Sequence, residues 1–398
     1  MRDCTITVSR RQFCVATLAL AGHAAFAAPK PDGYALVTRT DRSRILAAAA
    51  RYVDLPIETL TSFPSPKSPG GLHDFFSQAD YFWPNPANPE GPYINRDGQS
   101  NPDNFNGHRK AMIALSIQMP ALTAGWMLNG NRKFGEHAAA HLRAWFVDPA
   151  TRMTPNLEYS QGVHGLSTGR SYGIIDTLHL VEVARAASLV ARRFLTSAEH
   201  HSLLDWFTSY LHWMKTSDKG MTEGKAKNNH AVCWALQVSE FARLIGDDTT
   251  RSEVAEQFTG TFVPNQMGMD GSFPQELART KPYSYSIFNF DCMAMICQSL
   301  LDSGRNLFSF TLPDGRGICR AAAFLYPYLK DRNAWPYKHD VEHFESLPVR
   351  SPGLLFTGLS CHSDASLKLW VQLNPDPTDP EIIRNYPVRQ PLLWFGKA

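Results

Sequence analysis

Three short stretches of this 398-residue chain hold side chains that could act together on one molecule. KAKNNHAVCWALQ, Lys225 to Gln237, sets two amides and an imidazole (Asn228, Asn229, His230) just ahead of an apolar helical pattern. ELART, some fifty residues on, carries Arg279, and PYSYSIFN carries Tyr285, with Tyr283 two residues before it. Amide, imidazole and guanidinium groups are donors that can absorb negative charge as it develops on a bound molecule. A phenol beside them can move a proton once its pKa is shifted. Each residue also has a plainer use. Asn228 suits a helix N-cap, because its side-chain oxygen can take a free N–H of the first turn. His230 could be a helix-end histidine, and Arg279 could pair with Glu276 three residues earlier. Tyr285 could pack in the core with its hydroxyl tied off.

The elements that must position these groups are helical. AVCWALQVSEFARLIG brings Ala231, Trp234, Ala235, Val238, Phe241, Ala242 and Ile245 to one face at the spacing of a half-buried helix. An apolar helix, a glycine turn and a second helix then recur. MPALTAGWMLNGNRKFGEHAAAHLRAWF and WALQVSEFARLIGDDTTRSEVAEQF show the pattern, and MAMICQSLLDSGRNLF shows it more weakly. Gly130, Gly246 and Gly304 fall where a helix end takes a left-handed residue. Hairpins repeated in this way predict an all-α fold, an incomplete α/α toroid with long irregular loops over a central groove. The domain runs from residue 29 to residue 398. Inner helices of consecutive hairpins face one groove, which predicts a common cluster of Asn229, His230, Arg279 and Tyr285. Loops 70–105, 148–177 and 265–291 hold the unusual Pro, Asn, Gly and aromatic content, the kind of segment on which sites are built.

In GGLHDFFSQADYFWPNP, LRAWFVDPATRMTPNLEYSQ, TGRSYGIIDT, NNHAVCW, DGSFPQELARTKPYSYSIFNFDCM and PVRSPGLLF the chain resembles the alginate-lyase-like polysaccharide lyases. The resemblance covers nearly all of residues 29–398. It implies an α/α-toroid fold, an acidic polysaccharide or oligosaccharide substrate, no cofactor, and an eliminase site of an Asn-His pair, an Arg and a Tyr. Motif by motif these are Asn229, His230, Arg279 and Tyr285. The better-known mannuronate lyases have a slightly longer Arg-to-Tyr segment and a His after the Tyr, where this chain has Ser286. Tyr283 therefore stays open as the alternative tyrosine.

The chemistry asks for these groups on its own terms. β-Elimination of a 4-linked uronate removes the proton on C5, alpha to a carboxylate, and the enolate-like state must be stabilised by neutral or cationic donors such as Asn229, His230 and Arg279. In D-mannuronate and D-glucuronate, H5 and O4 share a ring face, so one tyrosine can take the proton and return it to O4. That needs a phenol pKa lowered from about 10, and Arg279 is the expected source of the shift. In L-guluronate the two groups lie on opposite faces, and His230 would be the base with Tyr285 as acid. Alginate, polymannuronate and glucuronan therefore all remain as substrates.

Arg170 and Gln161, in YSQGVHGLSTGR, are candidate contacts to carboxylates and hydroxyls, since a guanidinium offers two parallel donors. His164 lies in the same loop, and Trp83 and Tyr81, in ADYFWPNP, could stack on sugar rings or shape a lid. EHAAAH puts His137 and His141 one turn apart, but without a third ligand no metal is expected. Two rival functions remain. A glycoside hydrolase on the same scaffold would need a pair of carboxylates, with Asp176, Glu158 and Asp291 available. A non-catalytic periplasmic oligouronate-binding protein would keep Arg170, Trp83 and Gln161 and could dispense with Tyr285.

The N-terminus reads as a twin-arginine-type signal peptide over residues 1–28, with Arg10-Arg11, a mildly apolar run and a small-residue exit at Ala25-Phe26-Ala27. A periplasmic or secreted protein without a membrane anchor is expected, since no later run suggests a span. Cleavage takes away Arg2, Arg10 and Arg11 but only one acid, Asp3, which brings the formal charge from +2 to zero. A nucleic-acid partner would call for a basic excess, so none is expected. Oligomeric state has no signature in the sequence. The five cysteines beyond residue 28 are odd in number and irregular in spacing, which predicts mostly buried thiols rather than a disulfide framework or a zinc site.

Overall fold

The computed structural model describes Met1, residues 32–386 and residues 388–396, so the assigned signal peptide lies outside the described residues apart from Met1. Fifteen helices follow in order among the described residues: α1 (Gly33–Tyr52), α2 (Gly107–Asn129), α3 (Arg132–Leu142), α4 (Leu180–Phe194), α5 (Ser197–Thr216), α6 (Asp218–Gly224), α7 (Asn229–Ile245), α8 (Asp248–Gln257), α9 (Val263–Gln266), α10 (Pro274–Leu277), α11 (Pro282–Leu301), α12 (Ile318–Lys330), α13 (Pro352–Ser360), α14 (Asp364–Gln372) and α15 (Pro380–Arg384). The helices α2, α4, α7, α11 and α13 form an inner row, each packed on the next. Outside them, α3 packs on α2 and α4, α5 and α8 on α7, α12 on α11 and α13, and α14 on α13. This is an incomplete α/α toroid, and from Asp32 onward it is one compact unit.

Glycine ends the hairpin helices for a conformational reason. Gly130 and Gly246 close α2 and α7 at φ of 70° and 79°, and a Cβ on either would meet nothing within 4 Å. The demand is therefore the left-handed backbone, not space. Asn131 and Asp247 follow and cap α3 and α8 with their side-chain oxygens.

Helix α7 shows what the inner row does to an amphipathic pattern. A single buried face was predicted, but Val232, Cys233, Leu236, Gln237, Ser239 and Glu240 are buried as well. Neighbours on both flanks and behind leave an inner helix little exposed surface. On its outer side Phe241 packs with Phe207 and Tyr210 of α5, each fully buried and worth about 1.5–3 kcal/mol in transfer terms. Glu240 is wholly buried and meets Arg185 of α4 and Arg243 of α7. Burial alone would raise its pKa, yet the two arginines outweigh that and hold it below the usual carboxylate range.

Helix α2 is long and apolar enough to cross a membrane, contrary to the sequence expectation that no such run exists, but the fold uses it as an inner-row core helix. The cysteines also depart from expectation in part. Cys233, Cys292 and Cys297 are buried thiols, whereas Cys319 and Cys361 form a disulfide between the start of α12 and the end of α13. Forty-two residues separate the pair, so spacing gave no hint of it.

Two long loops are welded to each other at the rim. Strand β1 (Phe76–Gln78) pairs in parallel with β4 (Tyr159–Gly162), and β2 (Phe82–Trp83) pairs antiparallel with β3 (Ile94–Asn95). The Ser77 hydroxyl reinforces the weld, donating to Asp176 at 2.5 Å and accepting from the Gln161 amide at 2.8 Å.

Candidate active site

A cleft of about 280 Å³ opens where these loops face the N-terminal ends of α7 and α11. Asn229, His230, Arg279 and Tyr285 all line it, together with Arg170, Gln161 and Tyr81.

Asn228 is the N-cap of α7, its side chain accepting from the His230 amide. The next residue is fixed by a group the sequence reading gave to another partner. Asn229 donates its backbone N–H to Glu276 Oε1 at 2.7 Å and its Nδ2 to Oε2 at 2.6 Å. Burial raises the Glu276 pKa, and these two hydrogen bonds only partly oppose the shift. His230 contacts Glu223 of α6, Nδ1 to Oε1 at 2.6 Å, and its ring meets the edge of Tyr172 at a centroid distance of 5.0 Å.

Arg279 does not pair with Glu276. It reaches Asp97 in the 70–105 loop through Nη2 at 2.9 Å, and Thr280 donates to the same carboxylate at 2.9 Å. Burial works against the Arg279 charge, but the hydrogen bond and field of Asp97 hold its pKa above the ordinary value. Gly98 makes this approach possible, since it has φ of 80° and a Cβ there would lie 2.6 Å from Thr280 Oγ1. The Arg279 guanidinium lies 4.6 Å from the centre of the Tyr285 ring.

The Tyr285 hydroxyl is 3.0 Å from that of Tyr81, which also receives a long contact from Arg384 Nη2 at 3.4 Å. The expected lowering of its pKa by Arg279 does not prevail. Burial comes first, Tyr81 adds to it, and the phenol is pushed well up, so Tyr285 is protonated at neutral pH. Tyr283 points elsewhere. It is fully buried against Trp335 and Phe344 and donates to the Tyr328 carbonyl at 2.8 Å.

Three carboxylates line the cleft, and each is tied to arginine. Asp80 meets Arg109 at 2.5 Å and Arg384 at 2.7 Å, Asp176 meets Arg109 at 3.1 Å, and Asp97 meets Arg279. Although burial pushes Asp80 and Asp97 up, their arginine partners win and hold both below the usual carboxylate range. Gln161 has a left-handed φ of 49°, a sparsely populated state for a non-glycine residue. Its carbonyl and Oε1 accept from Arg170 Nε and Nη2 at 3.1 and 3.0 Å, and the Arg170 guanidinium lies over Phe82 and Tyr172.

Other sequence candidates lie away from this cleft. Trp83 bonds the Gln99 carbonyl and carries Arg96 over its ring, and the exposed His164 packs on Tyr93. Glu158 pairs with Lys219, and Asp291 is buried under Ser351 and the Gly353 amide. His137 and His141 stack edge to face at 5.2 Å, and burial first, then His137, pushes His141 down to about 3. Among the described residues no group of three or more His, Cys, Asp or Glu side chains is arranged to hold a metal ion.

Glu223, Glu276, Asp97, Tyr172, Asp80, Arg109 and Arg384 were missed as site residues. Glu223 and Glu276 lie seven residues before His230 and three before Arg279, which was the only local signal. Asp97 and Arg384 come from remote segments and had none.

An α/α toroid with a cleft rich in arginine, amide and phenol groups matches known proteins. The alginate lyase family profile matches residues 59–335. A crystal structure of an alginate lyase from Bacteroides ovatus superposes with a TM-score of 0.78 at 26% identity, covering 91% of this chain and 97% of that one. A variant of alginate lyase A1-III complexed with tetrasaccharide gives a TM-score of 0.55 at 14% identity over 93% of this chain and 98% of that one. Alginate lyase A1-III from Sphingomonas species A1 gives 0.50 at 14%, over 83% and 88%. These two show the shared fold. Among curated protein sequences none matches. The fold and site define a polysaccharide lyase. The chain belongs to the alginate lyase family.

Proposed function

We propose that this lyase cleaves a 4-linked polyuronate by β-elimination, with Asn229, His230 and Arg279 stabilising the charge that develops on the C5 carboxylate and Tyr285 serving at O4. One observation carries the reading: these four residues line a single cleft whose lining carboxylates, Asp80, Asp97 and Asp176, are each tied to an arginine. Such a cleft can take up an acidic sugar. A hydrolase needs a carboxylic acid kept protonated by a raised pKa and free to reach the sugar. Asp80 and Asp97 are shifted the opposite way, and Glu276, which burial raises, has both oxygens taken by Asn229.

The leading substrates are polymannuronate and glucuronan, where H5 and O4 share a face. There Tyr285 takes H5 as a phenolate, the electron pair forms the C4=C5 bond as C4–O4 breaks, and the phenol returns the proton to O4. Arg279 beside the ring favours that phenolate, against burial and the Tyr81 hydroxyl, which both favour the phenol. A second reading has its own support in the protonated Tyr285 and the Glu223-bound His230. For L-guluronate, His230 takes H5 and Tyr285 gives its proton to O4. We also propose export through the Arg10-Arg11 signal, which N-terminal sequencing of the protein recovered from the periplasm or medium tests.

The test is incubation with polymannuronate, polyguluronate, glucuronan and a polygalacturonate control, following absorbance of the conjugated C4=C5 bond beside reducing-end release. A rise in both from a polyuronate is expected, and the responding polymer fixes the stereochemistry. Reducing ends without absorbance would mean hydrolysis and would overturn the reading.

A further inference from the structure

Helix α6 has seven residues and is placed with unusual tightness for so short an element. Ser217 caps it, accepting from the Gly220 amide at 3.0 Å. A Cβ on Gly220 would lie 2.0 Å from the Met214 carbonyl oxygen, so α6 meets the end of α5 backbone to backbone. At its other end Gly224 packs on the Trp234 ring, where a Cβ would come within 3.2 Å, and its carbonyl accepts from Gln257 Nε2 at 3.0 Å. Trp234 is one helical turn after His230 on α7. Between these anchors stands Glu223, 2% exposed, with its carboxylate on His230 Nδ1.

We infer that Glu223 is a positioning residue for His230, holding the neutral ring in its Nδ1–H tautomer so that Nε2 meets the substrate as a proton acceptor. A carboxylate can only accept, so the 2.6 Å contact places the hydrogen on Nδ1. In a neutral imidazole the other nitrogen then carries the lone pair. Among the described residues Nε2 has no hydrogen-bond partner in the protein. The anchors at Gly220 and Gly224 matter because an orienting group is only as well placed as its own support. What Nε2 does with a substrate rests on the second reading, in which His230 takes H5, since a lone pair there cannot donate to the C5 carboxylate; the tautomer does not.

The charged and titratable groups around the ring are Glu223 from α6, Glu276 from α10, Tyr172 and Arg170 from the 148–177 loop, and Arg279 in the same cleft. The experiment is nitrogen NMR on the histidine-labelled full chain, with His230→Gln for assignment, beside steady-state kinetics of Glu223→Leu and Glu223→Gln. In the neutral ring of the wild type the proton is expected on Nδ1. Glu223→Leu should move it toward Nε2 and lower kcat by about ten- to a hundred-fold, the scale of losing a group that orients a functional histidine, with KM changed less. Glu223→Gln keeps an acceptor, so it should keep the tautomer and much of the rate.

An Nε2–H tautomer in the wild type would overturn the inference. An unchanged tautomer or unchanged kcat in folded Glu223→Leu would do the same. If Glu223→Leu does not fold, a proton on Nε2 in Glu223→Gln overturns it instead. A wild type with the Nδ1–H tautomer that eliminates no polyuronate would refute the proposed reaction while leaving Glu223 in its role.

Discussion

Asn229 gives both its backbone N–H and its side-chain Nδ2 to the one carboxylate of Glu276. The first turn of α7 is thus clamped to α10, three residues before Arg279. The amide can rotate only by breaking a hydrogen bond to a group that is wholly buried.

Glu276→Gln would replace two acceptors by one acceptor and a donor facing the Asn229 amide. A stability loss of about 1–3 kcal/mol is expected from the unsatisfied buried group, with turnover down about ten- to a hundred-fold as Asn229 loses its orientation. Thermal unfolding and kcat, measured on the same preparation, check both.

The two tyrosines of PYSYSIFN should separate cleanly. Tyr285→Phe removes a hydroxyl from the cleft and should cost about 10²–10⁴ in kcat, the range of general acid–base catalysis. Tyr283→Phe removes a buried hydrogen bond to the Tyr328 carbonyl, worth about 1 kcal/mol of stability, and should leave turnover near wild type. The opposite pattern would transfer the role to Tyr283.

Asp291 is pushed up to about 7, by burial first, with hydrogen bonds from Ser351 and the Gly353 amide opposing. Its unfolded value is near 3.9, so the folded state binds this proton more tightly. Its contribution to stability therefore falls as pH rises from about 4 to about 7 and is level above that. Asp291→Asn should remove that slope, so Tm should fall less between pH 5 and pH 8 in the variant than in the wild type. Parallel Tm–pH curves would refute the assignment.

The Cys319–Cys361 bond closes a loop of 42 residues between α12 and α13. Reduction, or a Cys319→Ser/Cys361→Ser pair, should lower stability by about 2–4 kcal/mol through the freer unfolded chain. Denaturant unfolding with and without reductant measures it. Cys233, Cys292 and Cys297 are buried thiols and should resist alkylation until the chain unfolds.

The sequence by itself determined the helices and their ends. Glycines at 130, 246 and 304 have positive φ because no other residue enters that region as cheaply, and Asn228 caps α7 because its short side chain reaches a first-turn amide. It also determined the order of Asn229 and His230 at the start of one inner helix, Arg279 in the turn before the next, and Tyr285 on that next helix. Tertiary structure alone decided which tyrosine faces the cleft. Two residues on a helix differ by about 200° in direction, so one packing of α11 sends Tyr283 into the core and Tyr285 to the groove, and no local pattern sets that rotation. The same holds for partners: Arg279 took Asp97, 182 residues away, in place of Glu276 on its own turn. Glu276 was left for Asn229, and Glu223 for His230. Trp83 and His164 share loops with cleft residues, yet the β-pairings and turns of those loops carry them elsewhere. Local propensity reads one segment at a time, whereas a charge finds its partner only when remote segments have packed.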